Sequence, residues 1–413
     1  MVYETSRRKF LQGMVGGAAA WPAFEGLPPV AGESDWERVR RQFPFTEEKV
    51  PMNAANLCPS PFAVARRVTE LTRDIDIDCS FNNRAKFDQL RERSRQKVAA
   101  QLGVSTDEIA LVRNTSEANN IINNGLALRP PDEVLLWDQN HPTNNVAWEV
   151  RAARFDLVVK RVATPRHPTS PGELVEVFER ALGRHTRVLA ITHVSNVSGL
   201  ALPVAELCRV AHRRGIYVHV DGAQSWGALN VNLRELGCDS YAASTHKWFV
   251  GPKEAGVLYV RKDRISQIWP NTVAPGWGKD VEPDVQGALK FESLGQRDDA
   301  CLAAIAAAAD LHERIGSSRI EARVRQLAGR LRSGLAELGA KLVTPEDPRF
   351  NAGVCIIEVP LRRRQLLVDR LYQEYGIAGA ATGGLRLCPH LYNTMEHIER
   401  ALKGVKAMRH LIG

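Results

Sequence analysis

The seven cysteines (58, 79, 208, 238, 301, 355 and 388) form no C-x-x-C pair and no cluster with histidine at metal-ligand spacing. That excludes a zinc finger or ribbon, and no metal site is expected. Their odd number also excludes a complete disulfide framework, so most are expected to be small buried hydrophobes. No apolar run approaches the ~20 residues that span a bilayer, so no stable membrane anchor is expected. Internal repeats, low-complexity tracts and Gly/Ser linkers are absent from the sequence as well. The net charge of +8 is spread among acids, as in Glu70 to Arg73 and Arg91 to Arg95. Such interleaving describes solvated helix faces, and no nucleic-acid partner is expected.

What is present is a 413-residue chain with 44% hydrophobic and 25% charged residues, enough for a large core and a second domain. Ser6-Arg7-Arg8-Lys9-Phe10-Leu11, the mild apolar run Leu11 to Ala20 and the small residues Ala18 to Ala20 form a twin-arginine pattern. The alternative is an ordinary basic arm in a cytoplasmic protein. Export of the folded protein by the twin-arginine (Tat) translocase to the periplasm is the expectation. Residues 1–31 are then a signal peptide, 32–50 an N-terminal arm, 51–290 a large domain and 291–413 a small C-terminal one.

From residue 84 the pattern alternates. Arg84 to Leu102, Thr115 to Leu128, Gly172 to Leu182 and Pro203 to Arg214 carry helical periodicity. Between them Ile109 to Val112, Glu133 to Trp137, Leu157 to Val162, Arg187 to Thr192, Tyr217 to Asp221 and Ser240 to Ser244 read as short buried strands. This alternation predicts an α/β fold with a mostly parallel sheet between helices. Beyond it, the helices Cys301 to Ile315 and Ser318 to Leu338 and a strand pair near Gly353 to Val359 and Leu385 to Leu387 predict a smaller α+β unit. Ligands of parallel sheets bind beyond the carboxyl ends of the strands. Asn114 and Thr115, His141, His193 to Asn196, Asp221, and His246 with Lys247 all fall there.

Asp221 ends an apolar strand and precedes Gly222-Ala223-Gln224, where a carboxylate can face a ligand; a helix cap is the commoner meaning of such an acid. Lys247, 26 residues on, stands between His246 and Trp248 just past a buried strand, an odd place for a solubilising lysine. Desolvation there would lower its pKa and make it a Schiff-base nucleophile. Asn114-Thr115-Ser116-Glu117 opens a helix, where free amides make an anion site, and a capping box of Asn114 with Glu117 also explains it. His141 could lie flat against a ring or be structural. An amine-binding lysine, a carboxylate for a ring nitrogen, a phosphate site and a flat group are together what pyridoxal 5′-phosphate (PLP) requires.

The ordered motifs N-T-S-E-A, N-H-P-T-N, H-V-S-N, V-D-G-A-Q and S-T-H-K-W resemble those of class V aminotransferases of PLP fold type I, over residues 50 to 410. Met52 to Asn56, Phe81 to Arg84 and Leu385 to Thr394 bring the chain nearer the isopenicillin N epimerase-like branch. The resemblance implies a large domain with a seven-stranded, mostly parallel sheet. It implies that Lys247 binds PLP and shuttles the Cα proton, Asp221 pairs with the pyridine nitrogen, Gln224 bonds the phenolic oxygen and His141 stacks on the ring. Thr115, Ser116, Ser244 and His246 would hold the phosphate. Arg386 would clamp a substrate carboxylate, with Asn53 and Asn196 at the same end and Asn196 also near the cofactor. A homodimer is implied too, with Trp277 on a loop that reaches the partner or simply packs as a turn.

Two departures bear on activity. Relatives carry a Gly-Thr pair that contacts the neighbouring subunit's phosphate, and here Gly295-Gln296 stands instead. Cysteine desulfurases carry a nucleophilic cysteine before the carboxylate-binding arginine, and Gly379 to Gly384 has none. The expectation is an enzyme acting at the α-carbon of an amino-acid-like substrate by epimerisation or transamination, maturing a secreted metabolite such as a siderophore. A cysteine desulfurase or C–S lyase, or a non-catalytic PLP-fold binding protein, are the alternatives.

Overall fold

The computed structural model describes residues 34–274 and 287–412. The twin-arginine motif and Trp277 lie outside the described residues.

Eleven strands are described: β1 (Val50–Pro51), β2 (Ile109–Val112), β3 (Glu133–Trp137), β4 (Val158–Val162), β5 (Thr186–Thr192), β6 (Tyr217–Asp221), β7 (Ser240–Ser244), β8 (Gly256–Val260), β9 (Cys355–Ile357), β10 (Ile377–Ala378) and β11 (Leu385–Leu387). Seven form one sheet in the order β2-β8-β7-β6-β5-β3-β4. β3, β4, β5, β6 and β7 are parallel, while β8 runs antiparallel to both neighbours, β7 and β2. This is the α/β architecture of PLP fold type I, with β8 added where the sequence reading stopped at Ser244.

Strand alternation explains why helices cover both faces. Leu135, Trp137, Leu189, Ile191, Val218 and Val220 pack with Phe178, Leu207 and Ile305 on one side. The intervening Val134, Leu136, Val188 and Ala190 pack with Ala118, Ile121, Ile122 and Trp148 on the other. Successive side chains point to opposite faces, so a strand buried on both must be apolar throughout.

A further core gathers Leu327, Leu331 and Leu335 from the helix Ser317–Glu337 with Leu367, Leu371, Ile398 and the antiparallel pair β9–β11. Val50 and Met52 belong to this core, because β1 pairs in parallel with β10. Residues 50–52 therefore pack with the C-terminal unit. The bridge Asn53↔Cys388 then carries Asn53 beside β11. The helix expected from Arg84 is two elements, Phe81–Arg84 and Lys86–Leu102, with Ser80 capping the first through Asn83 N.

Candidate active site

The carboxyl ends of five strands converge on a cavity of about 190 Å³ lined by Thr115, Ser116, His141, Thr143, Thr192, Asn196, Asp221, Gln224, Ser244, His246 and Lys247. Arg386 and Asn53 approach it from the C-terminal unit.

At one end the helix Thr115–Gly125 begins directly after β2, with Asn114 Oδ1 accepting from Glu117 N at 3.0 Å. Only half of the expected capping box forms: the Glu117 carboxylate takes the N–H of Arg113, at 2.6 Å, not that of Asn114. Ser244 Oγ accepts from Thr115 N at 2.8 Å and lies 2.6 Å from Thr115 Oγ1, which ties the helix start to the end of β7. His246 stands beside them, its imidazole held neutral by desolvation, down to about 4. Two hydroxyls, a helix N-terminus and a neutral imidazole make an anion cup.

In the middle, Asp221 is 2% exposed and accepts from Ala223 N on Oδ1 at 3.0 Å and from Asn119 Nδ2 on Oδ2 at 2.9 Å. Gln224 donates from Nε2 to Ala55 O at 3.0 Å. His141 accepts on Nδ1 from Thr143 N at 3.3 Å, with Thr143 Oγ1 2.7 Å from the same nitrogen. Desolvation first, then the charge of Lys247, lower the His141 pKa, while Asp221 opposes them. A ring fixed through Nδ1 by Thr143 suits a stacking role.

Lys247 sits in the loop between β7 and β8. Val250 N closes the turn on Lys247 O at 2.9 Å, and Val250 itself has φ +52°, a left-handed conformation that is costly for a buried β-branched residue. The next two carbonyls are capped by buried histidines: Trp248 O lies 2.6 Å from His390 Nε2, and Phe249 O 3.1 Å from His312 Nε2. Strain held in place by such contacts makes a rigid mount. The Lys247 ammonium is lowered first by desolvation and further by the Arg386 charge, with Asp221 acting against both.

Arg386, on β11, is 5% exposed. It donates from Nη1 to Asn196 O at 3.0 Å and from Nη2 to Asn53 Oδ1 at 3.1 Å, while Nε has no protein partner. Neither acceptor carries charge. A buried guanidinium among neutral acceptors is a receptor for an anion.

The cavity also fits PLP by what it leaves unsatisfied: Thr192 Oγ1, Asn196 Oδ1 and His246 Nδ1 are buried without a protein partner. Thr192, Thr143 and Asn119 escaped the sequence reading, since a strand-end threonine or a mid-helix asparagine carries no local signal. Gln296 lies off the site, its Oε1 accepting from Arg84 Nη2 at 2.8 Å and its Nε2 donating to Arg297 O at 2.9 Å.

Residues 79–403 match the model of the family described as Aminotransferase class-V. The chain belongs to the class V aminotransferases. It is a PLP-dependent enzyme of that family. Isopenicillin N epimerase of Streptomyces clavuligerus is 29% identical over 392 residues, covering 91% of this chain and 98% of that one. A probable cysteine desulfurase of Methanothermobacter thermautotrophicus is 31% identical over 388 residues, covering 88% and 95%. Among solved structures, a C-DES mutant with glycine covalently linked to its PLP cofactor superposes with a TM-score of 0.81 at 26% identity, covering 89% of this chain and 98% of that one. The stretch Gly379 to Gly384 contains no cysteine. Cys388 follows β11 and is fully buried, and burial pushes its thiol up.

Proposed function

We propose that this class V enzyme moves a proton at the α-carbon of an amino-acid-like substrate, as an epimerase-type catalyst. The observation that carries the reading is Arg386, a buried cation 3.0 and 3.1 Å from neutral acceptors and in no ion pair among the described residues. A substrate carboxylate would complete it.

In this reading Thr115, Ser116, Ser244 and His246 hold the PLP phosphate, His141 lies against the ring, Asp221 meets the pyridine nitrogen and Gln224 the phenolic oxygen. Asn196 stands between cofactor and substrate, and Arg386 with Asn53 fixes the carboxylate. When bound, PLP supplies an electron sink for the α-carbon. Lys247 would carry the cofactor and would hold the proton taken from Cα; inversion requires that a proton reach Cα from the opposite face. Desolvation, the largest cause, lowers the Lys247 pKa, the direction that favours a free amine able to accept a proton. Desulfuration is the weaker reading: Cys58 near Lys247 is buried with its thiol pushed up to about 12, so no ready nucleophile stands there.

The proposal extends to a homodimer and to twin-arginine export into the periplasm, resting on the motif at Ser6 to Leu11, with a secreted metabolite such as a siderophore as substrate. Cell fractionation of the full chain and of an Arg7→Lys/Arg8→Lys variant tests the location.

The deciding experiment incubates holoenzyme in heavy water with amino acids and short peptides and follows products by mass spectrometry. Deuterium at Cα with the amine retained supports the reading. Amine loss moves the enzyme to transamination, and sulfide release moves it to C–S chemistry.

A further inference from the structure

We infer that His219 and Asn119 are positioning residues that keep a proton on the cofactor's pyridine nitrogen, by presenting Asp221 to it as an acceptor-only carboxylate. The inference rests on PLP as cofactor and is independent of which reaction follows.

Four buried groups form a chain: Ser240 and His219 are 0% exposed, Asn119 1% and Asp221 2%. Ser240 Oγ lies 2.8 Å from His219 Nδ1, His219 Nε2 lies 2.9 Å from Asn119 Oδ1, and Asn119 Nδ2 donates to Asp221 Oδ2 at 2.9 Å. The sequence creates the alignment. His219 and Asp221 are two apart on β6 and so share a sheet face. The helix Thr115–Gly125 covers that face through Ala118, Ile121 and Ile122. Thr115 and Asn119, four apart, lie on one side of that helix. A single helix therefore supplies both the anion cup and the support for Asp221.

Every proton in the chain has one direction. Ala223 N can only donate, so Asp221 Oδ1 accepts. If the Asn119 amide were reversed, its oxygen would oppose the carboxylate, two acceptors face to face; hence Nδ2 meets Asp221 and Oδ1 meets His219. His219 must then carry its proton on Nε2, leaving Nδ1 to accept from the Ser240 hydroxyl. Desolvation holds this imidazole neutral, down to about 3, so it brings no second cation to compete for Asp221. With both oxygens receiving N–H groups, the carboxylate has no proton of its own to offer, and the one shared with the ring stays on the ring nitrogen.

The test loads the full chain with PLP labelled with ¹⁵N in the ring and follows the pyridine nitrogen by NMR against pH. Asn119→Ala and His219→Leu should raise the proton affinity of Asp221 and draw the shared proton toward it, so the ring ¹⁵N signal on the protonated plateau should move toward that of the unprotonated ring, by roughly tenfold in the sharing equilibrium, the scale of one hydrogen bond to a charged group. His219→Gln keeps an N–H donor near the Nε2 position and should keep the plateau signal close to wild type, which a purely structural role for the ring would not require. Ser240→Ala, a small change that keeps the fold safe should His219→Leu not fold, should shift it in the same direction by less. An unmoved plateau signal in Asn119→Ala and Ser240→Ala overturns the inference, as does a His219→Gln signal displaced as far as that of Asn119→Ala. Failure of the wild-type chain to bind PLP would overturn the cofactor assignment itself, a result distinct from either.

Discussion

The indole N–H of Trp248 donates to Gln224 Oε1 at 2.8 Å, and this bond decides which end of the glutamine amide faces the cavity. With Oε1 taken and one Nε2 proton on Ala55 O, a single N–H remains for an oxygen of the cofactor. Trp248→Phe retains much of the packing and removes the orienting donor. The bound cofactor's visible absorbance should shift, and PLP should bind about fivefold more weakly, the worth of roughly 1 kcal/mol for a neutral hydrogen bond. A variant with the wild-type spectrum and affinity would show that Gln224 needs no orientation.

Lys247 is the only lysine lining the cavity among the described residues. After borohydride reduction of the holoenzyme, intact-mass measurement should find one cofactor attached per chain, and none in Lys247→Ala. A mass gain persisting in the variant would put the attachment elsewhere.

In the proposed reading Arg386→Ala would remove a charged contact to the substrate carboxylate, worth about 1.5–3 kcal/mol, and KM for carboxylate substrates should rise by roughly 10- to 150-fold. Because Nη1 and Nη2 also hold Asn196 O and Asn53 Oδ1, Arg386→Lys should recover little: one ammonium cannot keep both and present a fork. The comparison of KM across the two variants checks this, and a lysine variant near wild type would refute the bidentate role.

The two histidines behind the Lys247 turn make stability depend on pH. His390 is pushed down to about 3 and His312 to about 4, from an ordinary 6.5, by burial. Both stay neutral in the folded chain while the unfolded chain takes up protons below 6.5, so stability is intact above that pH and falls as pH drops toward 4 and 3. Each contributes about 1.4 kcal/mol per pH unit within that window. Denaturant midpoints between pH 7 and pH 4.5 should fall steeply for the wild type and less so for His312→Gln. An equal slope in both would exclude this histidine as a source.

Much of the site's layout was legible in the sequence because the residues that line the cavity sit where strands end. Asp221 and Lys247 each follow a short apolar run, and the run itself fixes the position. β8 was not legible: Gly256–Val260 follows Pro252, Lys253 and Glu254 in a loop, and nothing in five apolar residues states that the strand turns back antiparallel. Asn119 was invisible for another reason. It meets Asp221 across 102 positions, and mid-helix it reads as a mediocre helix former. The capping box failed by one residue, because Arg113 offered a nearer N–H and its own guanidinium to Glu117.

The reversed strand β8 also sets an order of assembly. β2, the earliest strand of the large sheet, bonds only to β8, the latest, with Val112 paired to Gly256. Until residue 260 is made, β2 has no neighbour, and the helix start at Thr115 has nothing to fasten it to Ser244, 129 residues on. The turn bearing Lys247 waits longer still: besides the hairpin of β7 and β8 it needs His312 and His390, which cap the carbonyls of Phe249 and Trp248. A growing chain can thus close the cup at Thr115 and Ser244 before it fixes the turn that bears its amine, and a cofactor arriving early would find its anchor still loose.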